Sequence, residues 1–207
     1  FNYQGADKLG REFYEMCQKS NPDFLMVGEG CYDLQSQYYG TYTRADYWHE
    51  PVLRYIDPTV PIACAVIDHN DLNHVNMCLA DRYAMSYEVR NFKGHLGEFP
   101  RVMAYGRKVD NLRRRYADFL WNGEFLDVLG ATVKGDNIRY TVFRNLKNGK
   151  KAVVVYNVDT KKANTASVSI DGSSAPLVMA SPEKPAPAKF TGAVTLGPQS
   201  AVVIMEK

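Results

Sequence analysis

A glutamate stands between two glycines directly after a short apolar run. Residues 24–27 read FLMV and are followed by Gly28, Glu29 and Gly30. Glycine has no Cβ and lets the backbone turn sharply, so the sequence predicts that Glu29 is held rigidly at the end of a buried strand. A carboxylate fixed in this way suits a nucleophile or a general acid. The alternative interpretation is an ordinary loop carboxylate beside a tight turn.

An aromatic segment follows this glutamate. Residues 31–48, CYDLQSQYYGTYTRADYW, contain five tyrosines and a tryptophan among several polar side chains. Aromatic faces and hydroxyl groups together suit sugar rings, which are apolar on their faces and polar at their edges. We therefore predict substrate contacts from Tyr32, Asp33, Tyr39, Arg44 and Trp48, and we expect other aromatic residues here to anchor the loop.

A second polar cluster follows another apolar run. Residues 60–67, VPIACAVI, lead into Asp68, His69, Asn70 and Asp71. Helix capping accounts for Asn70 or Asp71, whereas Asp68 and His69 lie nearer the strand end and are predicted to contact substrate. One histidine with nearby carboxylates is too little for a metal site, so we predict neither a metal nor a cofactor. The sequence has no serine-hydrolase, P-loop or dinucleotide-binding motif.

These strand ends need a sheet that brings them to one edge. Apolar periodicity predicts a helix over residues 5–19, a strand over 24–27, a long loop over 28–43, a short helix within 45–56 and a second strand over 60–68. Strand, loop, helix and strand in this order indicate a βαβ unit with a right-handed crossover, and therefore a parallel sheet. Ligands bind at the carboxyl ends of such strands.

The character of the chain changes near residue 124. Helices are predicted over residues 72–87 and 101–123, and in the second of these Arg113, Arg114 and Arg115 are predicted to form a solvated face. Short alternating stretches separated by turn signals then predict an antiparallel β-sandwich. The fold class is therefore α/β followed by all-β, with domains over 1–123 and 124–207.

Charge and cysteine content narrow the function classes. The 207 residues include 25 Lys and Arg against 23 Asp and Glu, so we predict neither nucleic acid nor a membrane as a partner. No apolar run approaches the ~20 residues that span a bilayer. The four cysteines have no C-x-x-C spacing, and we predict free, packed thiols.

The order of these elements, together with VGEG at 27–30 and LRRRYADFLWNGEFLD at 112–127, resembles the C-terminal part of a retaining-type (β/α)8-barrel glycoside hydrolase with an appended β-sandwich. Poorly characterised bacterial members of that group are the most similar. The resemblance implies that residues 1–123 are the last units of a TIM barrel that hydrolyses carbohydrate at its rim. It implies that Glu29 matches the nucleophile at the end of the seventh strand, with a partner acid on the fourth strand, outside this chain.

Other assignments stay open at this stage. Some barrel glycosidases carry their acids on the fourth and sixth strands, and Glu29 would then bind substrate. Asp33 and Asp68 are the local alternatives for a second carboxylate. A different class of function is a non-catalytic carbohydrate-binding or scaffolding protein, and a third reading is a small doubly wound α/β fold.

Two parallel strands cannot close a barrel of eight. We therefore expect the remainder of the barrel as a partner, either a missing N-terminal part of the same polypeptide, which we favour, or another chain. The 207 residues alone are then expected to be inactive.

Overall fold

The structure, a computed structural model, describes residues 3–29, 40–43, 54–55, 58–66, 72–87 and 95–207. Its first element is helix α1, Tyr3–Ser20, which agrees with the helix predicted over 5–19. The helix ends where Asn21 donates its backbone N–H to the carbonyl of Cys17 and Pro22 follows, because proline cannot continue the helical hydrogen bonds. Of the helix predicted within 45–56, the described residues Arg54 and Tyr55 are helical.

A four-stranded parallel sheet follows α1. Its strands are β1 (Val27–Glu29), β2 (Gly40–Thr43), β3 (Ile62–Val66) and β4 (Ala84–Tyr87), and neighbours in the sheet follow chain order. Three expectations are corrected. The first strand begins at Val27 instead of residue 24, residues 40–43 form a strand instead of a loop, and residues 84–87 form a strand instead of the end of a helix.

Three α-helices accompany the end of this sheet: α2 (Asn73–Ala80), α3 (Pro100–Arg115) and α4 (Ala117–Leu120), with a 3-10 turn at Leu96–Glu98. Every residue of α2 is buried. Within the described ranges, no helix has both the length and the apolar character that crossing a bilayer requires.

The second half of the chain is antiparallel. A six-stranded sheet has the order β11-β10-β13-β8-β7-β5, and a three-stranded sheet has the order β12-β9-β6. The strands are β5 (Glu124–Phe125), β6 (Ala131–Lys134), β7 (Ile138–Arg144), β8 (Lys151–Asn157), β9 (Asn164–Ile170), β10 (Leu177–Ala180), β11 (Ala188–Lys189), β12 (Ala193–Leu196) and β13 (Ala201–Glu206). The prediction of an α/β part followed by antiparallel sheets is confirmed.

The six-stranded sheet is covered on both faces. Val153 and Val155 of β8 belong to the core shared with the three-stranded sheet, whereas Ala152, Val154 and Tyr156 belong to the core shared with the helices. A strand covered on both faces is apolar at nearly every position, and β8 is buried from Ala152 onward. One hydrophobic core therefore extends across residue 124.

Polar bonds join α2 to the second half of the chain. Thr141 donates its hydroxyl to the carbonyl of Ala80 at 2.7 Å, and Asn76 donates its side-chain amide to the carbonyl of Gln199 at 3.0 Å. Tyr105 of α3 in turn donates its hydroxyl to the Asn76 side-chain oxygen at 2.6 Å. These polar groups are buried, so the hydrogen bonds between them offset the free-energy cost of removing them from water.

The arginine run of α3 corrects another expectation. Arg114 and Arg115 are exposed as predicted, but Arg113 is 1 % exposed. Its guanidinium donates to the carbonyls of Tyr83 at 2.8 Å and Cys78 at 2.6 Å, and it lies 4.3 Å from the centre of the Trp121 ring. Burial lowers the pKa of Arg113 to about 10. Arg113 therefore ties α3 to the turn between α2 and β4.

Two further buried arginines hold the same region. Arg54 donates to the carbonyls of Val60 at 2.6 Å, Asp81 at 3.0 Å and Arg82 at 2.7 Å. Arg82, whose φ is 55°, donates to the carbonyl of Gly123 at 2.7 Å. A non-glycine residue in this left-handed region is strained, and the surrounding bonds stabilise it.

Replacing Arg113 by Met should lower the free energy of unfolding by about 2 kcal/mol. The buried Tyr83 carbonyl loses its side-chain donor, whereas the Cys78 carbonyl still accepts the backbone N–H of Tyr83. Urea unfolding followed by circular dichroism measures the change. Arg114→Met is the matched control, and we expect its unfolding midpoint to equal that of the unmodified protein. Equal midpoints for the two variants would show that Arg113 contributes no more than a surface arginine.

Candidate functional site

Glu29 is the last residue of β1. The register of the parallel sheet pairs Glu29 with Tyr42, Tyr42 with Ala63, and Ala63 with Ala84. Residues paired in this way across parallel strands belong to one face of the sheet. Glu29 therefore starts a row of positions that crosses all four described strands.

The two faces of this sheet differ. Ile62, Cys64 and Val66 of β3 belong to the core formed with α2 and α3, and Met85 and Tyr87 of β4 pack against the same core. Side chains alternate between faces along a strand, so the intervening residues lie on the opposite face. Those residues are small: Ala63, Ala65, Ala84 and Ser86. The row that begins at Glu29 belongs to this opposite face.

Glu29 is the predicted site residue that lies within the described ranges. The other seven lie outside them: Tyr32, Asp33, Tyr39, Arg44, Trp48, Asp68 and His69. For two of these seven residues, Arg44 and Asp68, the sequence distance to a described strand is known. Arg44 comes directly after the end of β2, and Asp68 comes shortly after β3 ends at Val66.

The structure adds one residue, Tyr42, to the candidate site. Tyr42 was assigned to a loop, but it lies in β2 directly beside Glu29 in the register. The flanking Thr41 and Thr43 are residues with high strand propensity, and they were the available signal. Tyr42 joins the candidate site on this placement.

Tyr87 ends β4 but has a structural role. A Cβ added at Gly106 of α3 would overlap the Tyr87 hydroxyl, so the ring packs closely on that helix. Burial raises the pKa of Tyr87 to about 12. A phenol that stays protonated and faces α3 does not supply a base to the opposite face of the sheet.

Two of the three described cysteines, Cys64 and Cys78, pack into the hydrophobic core. Cys17, Cys64 and Cys78 are free thiols, and Cys64 and Cys78 are fully buried. A hydrogen bond with Cys64, together with burial, raises the pKa of the Cys78 thiol. The prediction of free, packed thiols is confirmed for these two residues, while Cys31 lies outside the described ranges. Within those ranges, no group of three or more His, Cys, Asp or Glu side chains is arranged to hold a metal ion.

Comparison with known proteins adds no assignment. No protein-family model matches the sequence. No curated protein matches it either. The functional inference therefore depends on the residues and on the sheet that positions them.

Alkylation of the folded protein should separate the three described cysteines. Iodoacetamide is expected to modify Cys17, which is partly exposed, and to leave Cys64 and Cys78 unmodified until denaturant is added, because a buried thiol with a raised pKa forms little thiolate. Peptide mass spectrometry after timed labelling measures this. Modification of Cys78 as fast as Cys17 would contradict the buried position.

Proposed function

We propose that this chain belongs to a glycoside hydrolase and forms part of its (β/α)8 barrel, with Glu29 acting at the rim. One observation carries the proposal. Four parallel strands follow one another in strict chain order, and Glu29 ends the first of them. The carboxyl ends of such strands form the rim on which (β/α)8 enzymes build their active sites.

The strand order favours a barrel over a doubly wound sheet. A doubly wound fold reverses its strand order at a switch point, and its ligand binds there. The described sheet has no reversal among its four strands. The helices that are packed on it, α2 and α3, contact the face of Ile62, Cys64 and Val66. The face that includes the Glu29 row would then be the barrel interior, where substrate binds above the strand ends.

The strand count changes the role expected from the resemblance. Among the residues that the structure describes, three parallel strands follow β1, and α3 then leads toward the antiparallel sheets. If β4 is the eighth strand, β1 is the fifth, so the match of Glu29 to a nucleophile on the seventh strand does not fit. We propose Glu29 as one carboxyl group of the catalytic pair without that strand assignment.

A glycosidase needs a second carboxyl group at a defined distance. Retaining enzymes hold the two groups about 5–5.5 Å apart and inverting enzymes about 6.5–9.5 Å apart. Asp33 and Asp68 follow β1 and β3 in the chain and stay candidates. The second carboxyl group could otherwise come from the remaining strands of the proposed barrel.

The substrate class is inferred from the aromatic segment at 31–48, which joins β1 to β2 and continues past it. The antiparallel part offers no comparable surface. Its five aromatic residues are Phe125, Phe143, Tyr156 and Phe190, all buried, and Tyr140, which is half-buried. A sugar-binding platform of exposed rings is therefore absent from residues 124–207, which the structure describes in full. Sugar contacts are assigned to the rim, which supports hydrolysis over a separate binding module.

Replacing Glu29 by Gln in the complete enzyme should lower kcat/KM at least about a thousandfold, or ~4 kcal/mol of transition-state stabilisation. A panel of aryl glycosides provides the assay. Asp23→Asn is the matched control, since Asp23 is an exposed carboxylate just ahead of β1, and its kcat/KM should change less than twofold. A kcat/KM of Glu29→Gln within about tenfold of the unmodified enzyme would contradict the catalytic assignment. An increase in KM at constant kcat would identify Glu29 as a substrate-binding residue.

A further inference from the structure

The solvent-facing side of α3 is strongly basic. Helical spacing places its exposed residues on one side, opposite the buried Val102, Val109 and Leu112. These exposed residues include five basic side chains and no acidic one: Pro100, Arg101, Ala104, Arg107, Lys108, Asn111, Arg114 and Arg115. We call the four arginines and the lysine of this set the basic face of α3.

Most of the charge on the basic face of α3 is not neutralised nearby. Lys108 is paired with Glu183 at 2.5 Å, and Arg114 is paired with Asp110 at 2.7 Å. The other three arginines have no ion-pair partner among the described residues: Arg101, Arg107 and Arg115. This excess of three positive charges is larger than the net charge of +2 of the whole chain, so positive charge is concentrated on this helix.

The stability of α3 does not account for this concentration. The helix dipole favours basic residues in the last turn, which holds Arg114 and Arg115. Arg101, however, lies in the first turn, where a positive charge opposes the dipole, and that turn contains no acidic residue. An external anion beside Arg101 would be attracted both by the guanidinium and by the helix N-terminus.

The residue types indicate which anion fits. A guanidinium presents planar, paired donors that match carboxylate and sulfate groups, and four of the five basic residues are arginines. The exposed side of α3 carries no aromatic ring on which the bases of a single-stranded nucleic acid could stack. From Arg101 to Arg115 the face extends about 21 Å along the helix axis. A linear polymer with repeated anionic groups therefore fits it.

The direction of α3 connects its basic face to the rim. Gly106 packs closely on Tyr87 at the carboxyl end of β4, whereas Arg113 donates to the carbonyl of Tyr83 just ahead of that strand. The helix therefore runs antiparallel to β4, and Arg101 lies toward the carboxyl ends of the parallel strands. Glu29 is the last residue of such a strand.

We propose that the basic face of α3 binds an anionic polysaccharide, whose carboxylate or sulfate groups pair with Arg101, Arg107 and Arg115. This inference rests on the proposed function, and it names the substrate class as a charged polysaccharide. Clustered charge of one sign raises the local concentration of a ligand of opposite sign. The face would therefore hold the polymer along α3, with one end of the bound stretch directed toward the rim.

The first test measures binding of the complete enzyme to immobilised polymers by biolayer interferometry. The probes are polygalacturonate, which carries carboxylates, dextran sulfate, which carries sulfate esters, and neutral dextran. We expect binding to at least one of the anionic polymers and none to dextran. Raising the NaCl concentration from about 0.05 M to about 0.5 M should weaken the binding, because salt screens exposed charges.

The second test removes the three unpaired arginines together. An enzyme with Arg101→Gln, Arg107→Gln and Arg115→Gln should bind the anionic polymer with a Kd raised at least about tenfold, because three exposed charge pairs are lost. The matched control removes the same charge from exposed lysines of the antiparallel part, with Lys134→Gln, Lys161→Gln and Lys162→Gln. Its Kd should change less than about twofold, since these lysines lie outside α3.

Three outcomes would contradict the inference. Equal Kd values for the two triple variants would show that binding depends on total charge and not on α3. Absence of binding to both anionic polymers would exclude a charged polysaccharide as the ligand. Binding of duplex DNA that is tighter than that of either polymer, and that the arginine variant loses, would identify a nucleic acid as the ligand instead.

These measurements are independent of catalysis. If Glu29 has no catalytic role, the difference in Kd between the two triple variants remains. If the enzyme binds neither anionic polymer, the effect of Glu29→Gln on aryl glycosides remains. The substrate class and the catalytic role of Glu29 are therefore tested separately.

Discussion

The guanidinium group of Arg113 is the interaction on which the described architecture depends. It donates to the carbonyl of Cys78 in the last turn of α2 and to the carbonyl of Tyr83 just ahead of β4, and it stacks on Trp121 where the antiparallel part begins. The carbonyls of Tyr83 and Cys78 precede Arg113 by 30 and 35 residues, so these bonds join segments that are distant in the chain. Because the carbonyls at the end of a buried helix need donors, the guanidinium satisfies groups that water does not reach. The same bonds fix where β4 begins and which way α3 runs.

The fixed turn connects the parallel sheet to the antiparallel part. With α2 buried on every side, its contacts with β3 and with the six-stranded sheet form one continuous core. A displacement of α2 would disturb both sheets, since packed interiors tolerate little change of volume. The β3 and β4 part of the parallel sheet therefore shares its core with residues as distant as Met205. The antiparallel part packs on the helices next to β3 and β4, and it presents no exposed aromatic surface.

The sequence was most informative where local pattern and tertiary environment agree. The amphipathic spacing of α1, the apolar run of β3 and the alternation of β9 all predict the observed elements. Residues 84–87 were predicted as helix because Tyr83 and Met85 continue an apolar pattern. Pairing with β3 decides their conformation, and that contact is distant in sequence.

Arg113 shows that local sequence pattern also fails to predict a side chain's environment when distant contacts decide it. Its neighbours Leu112, Arg114 and Arg115 are located correctly by helical periodicity, with the leucine in the core and both arginines exposed. Periodicity cannot show that two carbonyls some thirty residues earlier will accept bonds from Arg113. In the candidate site, the glycines around Glu29 predicted a carboxylate at a strand end, and the structure has Glu29 as the last residue of β1. Its neighbour Tyr42 in the register could not be found without knowing that residues 40–43 are a strand.

The parallel and antiparallel sheets differ in how far along the chain their paired strands lie. This difference bears on the proposed chemistry. Antiparallel strands pair with chain neighbours through short turns, as β7 and β8 do, so such sheets are built locally. Parallel strands need crossovers, and their outermost strands bind only strands contributed from farther away. The distance between carboxyl groups on different strands is set by strand spacing and by closure of the barrel. If Glu29 is one carboxyl group of a catalytic pair, as proposed, its working geometry depends on the strands that adjoin β1, because β1 carries Glu29 at its end.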